Sequence, residues 1–331
     1  MNNFIFENAT KVYFGKGCVK EYLSCLTGKY GEKILLAYGG GSVMDCCKAV
    51  SMAAVSTKDI WEEYWAKPGI VDFEPLPLGV IVTVAGTGSE CNGGAVITNE
   101  ALKIKTGRDY PKCNPKFALM DPEYTYSVPI KQMASGGFDI LSHIMETYFS
   151  EPNEDNVSDD ISEALMRSVI KNLRDAIRNP EDYTARSNLM WASTMAENRI
   201  IKLGKKCDFE CHQMEHQLGA YTDCNHGCGL AVLHPVYYRH IYKEGLPKFV
   251  RFAKQVWQIE RGDMSDEELA KAGIEAFADF IKEIGLPTTL RELGMEAQDG
   301  LKEIAASCNL VPGSYKKMTH KEILEIFLEC F

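Results

Sequence analysis

Three of the seven histidines in this chain, His212, His216 and His226, fall within fifteen residues of one another. Asp139 and His143 lie four residues apart in a segment that is otherwise mostly apolar. On a helix, positions i and i+4 share a face, so both side chains of that pair can reach one metal ion. His212 and His216 repeat this spacing. Because a buried carboxylate beside a histidine is costly unless it is paired or metal-bound, the pattern predicts a metal site.

The donor set of this predicted site mixes one carboxylate with several imidazoles. Such a set suits Fe²⁺ or Zn²⁺ and leaves room for a substrate oxygen. Two other interpretations stay open, namely histidines that are hydrogen bonded in the core or cap a helix, and a structural four-cysteine zinc site. The second would use the pairs Cys207–Cys211 and Cys224–Cys228, whose spacing is acceptable for zinc. It leaves His212 and His226 beside the ligands without a role, which favours the histidine and aspartate set.

Two glycine-rich turns could hold a phosphate-bearing cofactor. Gly39–Asp45 lies between a predicted strand and a predicted helix, and Thr83–Ser89 follows a second strand. Backbone N–H groups at a helix N-terminus bind phosphate, and residues without side chains permit close approach. Ligands of open α/β sheets collect at the carboxyl ends of the strands. Together with a metal site, the two turns indicate a nucleotide cofactor.

The elements that must position these residues change in type along the chain. Buried strands are predicted at Lys33–Tyr38, Leu78–Val84 and Phe117–Met120, with a helix at Val43–Val55. Strand, glycine turn and helix in this order are typical of a parallel α/β sheet. We therefore predict an N-terminal α/β domain, residues 1–128, with a Rossmann-like parallel sheet.

Beyond Pro129 the β pattern ends and helical periodicity takes over. The predicted helices of this part are Asp159–Ile177, Ala185–Ile201, Pro247–Gln258, Asp266–Ile284 and Lys321–Phe331. The Asp139–His143 segment is apolar on nearly every side, which predicts a helix buried all round. The prediction for residues 129–331 is an all-α metal-binding domain.

Composition excludes several classes of protein. The 331 residues carry 46 acidic and 36 basic side chains, a net charge of -10, which argues against nucleic acid as a partner. No apolar run approaches the roughly 20 residues that span a bilayer, and the first ten residues lack the features of a signal peptide. We expect a cytoplasmic protein with no membrane partner, and the twelve cysteines are expected to be free thiols.

At the level of motifs, the chain resembles the iron-containing (group III) alcohol dehydrogenases nearly from end to end. The closest resemblance is to their NADPH-dependent butanol dehydrogenase-like branch. The motifs that carry it are Phe14–Gly17, Gly39–Asp45, Thr83–Glu90, Gly137–His143, His212–His216, His226–Gly229 and Gly285–Leu293. The aspartate–histidine pair and the doubled histidine segment are specific in combination, whereas the glycine turns are less so.

The resemblance implies a role for each residue of the site. The metal ligands would be Asp139, His143, His212 and His226. His216 would not be a ligand but would sit near the nicotinamide and help a proton relay as a catalytic residue. The cofactor-binding residues would be Gly40, Gly41, Ser42, Asp45, Thr83, Thr87, Ser89 and Lys105.

The implied activity is an alcohol dehydrogenase or aldehyde reductase that transfers hydride between NAD(P)H and a small primary alcohol or aldehyde. Butanol and butyraldehyde are the substrates expected from the family. The metal, Fe²⁺ or Zn²⁺, would act as a Lewis acid on the substrate oxygen, and the protein would orient substrate and nicotinamide. We expect NADP(H) rather than NAD(H), and a homodimer.

One departure from the family concerns the dinucleotide-binding unit. In the family, two strands each end in their own glycine turn, whereas here Leu35–Gly40 runs straight into Gly41–Asp45. On the order of 50 residues of this α/β unit are therefore missing. Three alternative explanations stay open: a gene-model error or recombination, an inactive relic, and an active protein with weakened cofactor binding. Because the lost strands leave apolar surface and a sheet edge uncovered, we expect reduced solubility or stability.

Two alternatives to the dehydrogenase remain. The first is a catalytically impaired metal-binding remnant of the same family. The second is another metal-assisted reaction on this fold, as in the glycerol dehydrogenase or dehydroquinate synthase-like relatives. Their ligand segments differ, and one aspartate with three histidines favours the alcohol dehydrogenases.

Overall fold

The computed structural model describes residues 2–26, 28–311 and 315–331. Its N-terminal part alternates strands and helices as predicted. The elements are β1 (Lys11–Phe14), α1 (Cys18–Leu26), β2 (Leu35–Gly39), α2 (Gly41–Ala53), β3 (Leu78–Val82), β4 (Gly94–Asn99), β5 (Ile104–Asp109) and β6 (Phe117–Met120).

Four of these strands form a parallel sheet in the order β1-β6-β3-β2. Every residue of β3 and β6 is buried, which is the pattern of parallel strands that are covered on both faces. Helix α1 packs Val19 and Leu26 on one face of the sheet, and α2 packs Met44 on the other. The predicted parallel α/β sheet with helices is confirmed.

Strand β2 is an edge strand whose only strand partner within the described residues is β3. It runs through Gly40 directly into α2, so a single glycine turn connects the two elements. Leu36 and Tyr38 stay 40% and 62% exposed on the α1 face of the sheet. The edge therefore presents apolar side chains to solvent, at the place where the sequence predicts a missing strand.

Strands β4 and β5 form an antiparallel hairpin beside the main sheet, which the sequence patterns above did not predict. The hairpin lies between α2 and α6 (Glu210–Thr222). Asp45 on α2 accepts the backbone N–H of Val96 at 2.9 Å, and Gln217 on α6 donates to the carbonyl of Lys105 at 3.0 Å. Tertiary contacts of this kind, rather than strand propensity, hold the hairpin in place.

The remainder of the chain is helical. Its helices are α3 (Ile130–Tyr148), α4 (Val157–Arg178), α5 (Tyr183–Glu197), α6, α7 (His226–Ile241), α8 (Leu246–Gln255), α9 (Asp266–Glu283), α10 (Leu301–Ser307) and α11 (His320–Glu329). Each of the five helices predicted beyond Pro129 has a counterpart here. The predicted helix Ala185–Ile201 ends earlier, at Glu197, because Arg199 has a positive φ of 75°.

Helix α3 lies at the centre of the helical part and packs against α4, α5 and α7. All of its residues from Met133 to Tyr148 are buried, as predicted for the segment that carries Asp139 and His143. Its neighbours contribute the main hydrophobic core of the molecule. Within the described ranges, no helix combines the length and the apolar character needed to cross a bilayer.

Candidate metal centre and cofactor cleft

Three helices bring the predicted metal ligands together. Asp139 and His143 share one face of α3, His212 lies in the first turn of α6, and His226 is the first residue of α7. Gly227 allows α7 to approach α3, because a Cβ atom there would lie 2.3 Å from the carbonyl oxygen of Ser135. The four side chains therefore converge at one place between the helices.

The Oδ1 atom of Asp139 is the centre of this arrangement. It lies 3.8 Å from Nε2 of His143, 3.7 Å from Nε2 of His212 and 3.5 Å from Nε2 of His226. Two ligand atoms bonded at 2.0–2.1 Å to one tetrahedral ion lie about 3.4 Å apart, so these separations fit a single metal ion. Asp139 Oδ1 and His212 Nε2 are buried without hydrogen-bond partners, which a bound cation would supply.

The four residues do not contribute equally to this cluster. The ligand atoms of Asp139, His212 and His226 all lie within 4.8 Å of one another. His143 approaches Asp139 from the side, and its ring stacks on the ring of His212 with centroids 4.7 Å apart. The two ligand-atom clusters found among the described residues contain no cysteine, which disfavours the rival four-cysteine site.

Two buried glutamates bind the imidazole nitrogens that face away from Asp139. Glu146 is hydrogen bonded to Nδ1 of His212, and Glu215 is hydrogen bonded to Nδ1 of His226. Carboxylates in this position fix the ring orientation and leave Nε2 free for a metal. Lys105 from β5 places its Nζ 3.0 Å from Oε2 of Glu215. Sequence reasoning missed both glutamates, although each is spaced to share a helix face with a ligand.

The electrostatics of the centre follow from burial and the paired charges. Burial alone would raise the pKa of Asp139, but His143, His226 and His212 together hold it well below its usual range. Burial would lower the pKa of His212, yet Glu146 and Asp139 raise it to about 10. The centre concentrates negative charge that a cation can neutralise in exchange for protons.

His216 lies beside the centre but outside the Asp139 cluster. Its ring stacks on that of His226 with centroids 5.9 Å apart, and its buried Nδ1 has no hydrogen-bond partner. With Glu215 and His226 it forms a second group of ligand-type atoms within 4.8 Å. Burial and the charge of Lys105 lower the pKa of His216 well below its usual value, so its imidazole is neutral.

A cleft of about 1480 Å³ extends from the metal centre to the glycine turns. Helix α2 begins at Gly41, so its N-terminal N–H groups lie at the wall of the cleft. A Cβ atom on Gly41 would lie 2.4 Å from the side chain of Thr87, which is why the two turns can approach each other closely. A helix N-terminus of this kind is suited to bind the pyrophosphate of a nucleotide.

Seven of the eight residues predicted to bind the cofactor line this cleft. These are Gly40, Gly41, Ser42, Asp45, Thr87, Ser89 and Lys105. Thr83 is not among the described lining residues and follows the end of β3, where its N–H donates to the carbonyl of Gly39.

Asp45 and Ser89 use their polar atoms within the protein. Asp45 Oδ1 accepts a hydrogen bond from Ser89 Oγ at 2.6 Å, and Ser89 Oγ accepts one from Nζ of the fully buried Lys48 at 2.7 Å. Lys48 also donates to the carbonyl of Gly94 at 2.6 Å. This network, which the motifs did not reveal, joins α2, the second glycine turn and β4.

Comparisons with known proteins agree with this architecture. Residues 26–122 match the model of the iron-containing alcohol dehydrogenases, and residues 133–331 match the C-terminal model of the same family. The NADH-dependent butanol dehydrogenase A of Clostridium acetobutylicum is 37% identical over 303 residues, which are 90% of this chain and 77% of that protein. The NADPH-dependent aldehyde reductase YqhD of Escherichia coli is 34% identical over 263 residues, covering 79% of this chain and 67% of that protein.

Solved structures give the same result. The crystal structure of NADH-dependent butanol dehydrogenase A from Thermotoga maritima superposes with a TM-score of 0.89 and 29% identity, covering 100% of this chain and 99% of that one. The chain belongs to the iron-containing alcohol dehydrogenase family. It is an oxidoreductase of the alcohol dehydrogenase class, and the resemblance inferred from its motifs is confirmed.

Proposed function

We propose that this protein is a metal-dependent alcohol dehydrogenase or aldehyde reductase. It would transfer hydride between NAD(P)H and a small primary alcohol or aldehyde such as butanol or butyraldehyde. The observation that carries this proposal is the buried Asp139 Oδ1, which faces three imidazole Nε2 atoms at one end of a cleft. The other end of that cleft is the N-terminus of α2.

The donor set suits Fe²⁺ or Zn²⁺, which Asp139, His143, His212 and His226 would hold. When bound, the metal polarises the substrate oxygen and the nicotinamide supplies or accepts the hydride. For the cofactor we propose NADP(H) rather than NAD(H). The relatives support either one, since their names record NADH-dependent and NADPH-dependent enzymes.

The chain's own residues prepare the site for this reaction. Glu146 and Glu215 keep the Nε2 atoms of His212 and His226 directed at Asp139. The backbone of Gly40, Gly41 and Ser42 would bind the pyrophosphate at the start of α2. Reduction of an aldehyde requires a proton at the product oxygen, and the neutral His216 beside His226 is the group that we propose to relay it.

The test is NADPH oxidation by butyraldehyde with chain that has been loaded with Fe²⁺ or Zn²⁺, repeated with NADH. We expect turnover with the wild type, and loss of both bound metal and turnover in His226→Ala. A loaded wild-type protein that turns over neither NADPH nor NADH would overturn the proposal. Stoichiometric metal in His226→Ala would overturn the ligand set.

A second candidate is a metal-binding remnant without dehydrogenase activity. The observation in its favour is the uncovered edge strand β2, with Leu36 and Tyr38 exposed next to the turn that would bind the cofactor. Titration of the protein's intrinsic fluorescence with NADPH separates the two. Saturable binding below millimolar cofactor favours the dehydrogenase, and its absence favours the remnant.

We propose that residues 1–128 form the dinucleotide-binding domain and residues 129–331 the metal-binding domain. We also propose that the protein works as a homodimer in the cytoplasm. Size-exclusion chromatography with light scattering tests the dimer, since a monomeric mass at working concentration would contradict it.

A further inference from the structure

Phe209 has an unusual backbone conformation next to the metal centre. Its φ and ψ are 56° and 40°, in the left-handed region, and it is the N-cap of α6 three residues before His212. A bulky residue rarely adopts a positive φ, because its Cβ crowds the backbone. Strain of this kind persists where the surroundings impose it, and it collects at functional sites. A side-chain role for Phe209 would explain why a less strained residue is not used.

The ring of Phe209 lies against two of the proposed metal ligands. Its centroid is 5.2 Å from the ring of His212 and 6.1 Å from that of His143. The side chain is partly exposed and lines the cleft. The ring of His216 and the Nζ of Lys105, by contrast, lie near His226, at the side of the centre that continues to the hairpin β4–β5. Phe209 therefore borders the opposite side of the metal centre.

The surroundings of Phe209 fix its ring and neutralise the local charges. Nζ of Lys202 lies 4.4 Å above the ring centroid and pairs with Glu197 at 2.7 Å. A second basic side chain of this lining, Arg199, forms an ion pair with Asp109 at 2.6 Å. Because these two cations are already paired, the region offers its apolar surface rather than a free positive charge to a substrate.

We propose that Phe209 is a specificity-determining residue, the apolar wall that selects neutral aldehydes with an unbranched chain. This inference rests on the proposed dehydrogenase function and names its substrate class. An aldehyde whose oxygen points to the metal centre would place its first carbons beside the ring. The ring would favour a narrow alkyl chain by contact and would exclude a branched or aromatic group by overlap.

The test compares Phe209→Ala with Phe14→Ala, a matched removal of a phenylalanine outside the cleft that is 41% exposed. The readout is the ratio of kcat/KM for benzaldehyde to kcat/KM for butyraldehyde. We expect Phe209→Ala to raise this ratio at least about tenfold, as pocket contacts of this size do. Phe14→Ala should leave the ratio unchanged. Phe209→Tyr, which keeps an aromatic ring at this position, should retain the wild-type ratio. An unchanged ratio in a Phe209→Ala protein that retains its metal overturns the inference.

Two further measurements distinguish failure of this inference from loss of the fold or metal and from failure of the proposed function. If Phe209→Ala loses its metal or its cooperative thermal transition, Phe209→Leu replaces it, with a rise of the ratio again expected and an unchanged ratio overturning the inference. If the wild type reduces neither aldehyde, the proposed function fails. The wall is then measured without turnover, by saturation-transfer NMR of 1-butanol and benzyl alcohol on the Zn²⁺-loaded protein. A gain in benzyl alcohol binding by the variant supports the wall, and equal binding overturns it.

Discussion

Glu146 holds His212 by two contacts. Its carboxylate is hydrogen bonded to Nδ1 of the imidazole and also accepts the backbone N–H of His212 at 3.2 Å. A third bond, from the N–H of Cys211 at 2.8 Å, attaches the same carboxylate to the first turn of α6. Because Glu146 lies on α3 with Asp139 and His143, it sets the distance between the two ligand-bearing helices. The proposed metal centre therefore depends on a residue that is not one of the four proposed ligands.

Removal of the Glu146 carboxylate should weaken metal binding while the fold persists. We expect Glu146→Gln to lower Zn²⁺ affinity about 10–100-fold, because the amide cannot accept from Nδ1 of His212 as strongly and no longer fixes the ring. Competition with a chromophoric chelator measures this. The matched control is Glu163→Gln, a buried carboxylate on α4 that accepts from Tyr148. Equal Zn²⁺ affinity in the two variants would contradict the role of Glu146.

The sequence could predict features that depend on residues close together in the chain. It could not predict those that depend on contacts between distant residues. The pairing of Asp139 with His143 is local to one helix, so spacing alone revealed it. The proposal that His216 is not a metal ligand rests on the family resemblance, because spacing alone places His216 four residues after His212, as it places His143 four residues after Asp139. The positive φ of Phe209 could not be predicted from the sequence, since phenylalanine does not favour that conformation. Its cause is tertiary, as is that of the hairpin β4–β5.

The buried network around Lys48 should position the cofactor turns. We expect Lys48→Met to raise the dissociation constant for NADPH about tenfold, because α2, the Ser89 turn and β4 lose their shared partner, roughly one charged hydrogen bond in strength. Bound metal should not change. The measurement is a fluorescence titration beside metal analysis, with Lys48→Arg as the variant expected to recover binding.

A second buried lysine provides the control for this change. Lys248 is also nearly inaccessible, but it pairs with Asp159 in the helical part of the molecule. Lys248→Met should lower thermal stability and leave NADPH affinity unchanged. If both variants lose stability and neither loses affinity, Lys48 has only a structural role.

The ionised carboxylate of Glu90 should lower the free energy of unfolding at neutral pH, compared with a neutral side chain of the same size. Burial raises the pKa of Glu90 above its ordinary value, and the hydrogen bond from Thr194 only partly offsets this. A carboxyl whose pKa is higher in the folded state stabilises the fold at low pH and loses that contribution as pH rises through the folded pKa. Glu90→Gln should therefore raise the midpoint of thermal unfolding at pH 7, with the difference shrinking towards pH 4. A lower midpoint at pH 7 would contradict this sign.

The exposed edge of the sheet should promote self-association. On β2, Tyr38 is 62% exposed and Leu36 is 40% exposed, and the strand has an unpaired backbone edge in the described part of the chain. Charged residues on edge strands oppose pairing with a second chain. We expect Tyr38→Lys to lower the aggregated fraction in dynamic light scattering at high protein concentration. The matched control is Tyr183→Lys, a tyrosine 37% exposed at the start of α5 and away from the sheet edge. A similar decrease in both variants would contradict a role for β2 and assign the effect to the added surface lysine in general. Net charge cannot cause it, because an added lysine reduces the magnitude of the net charge of -10 and so weakens electrostatic repulsion.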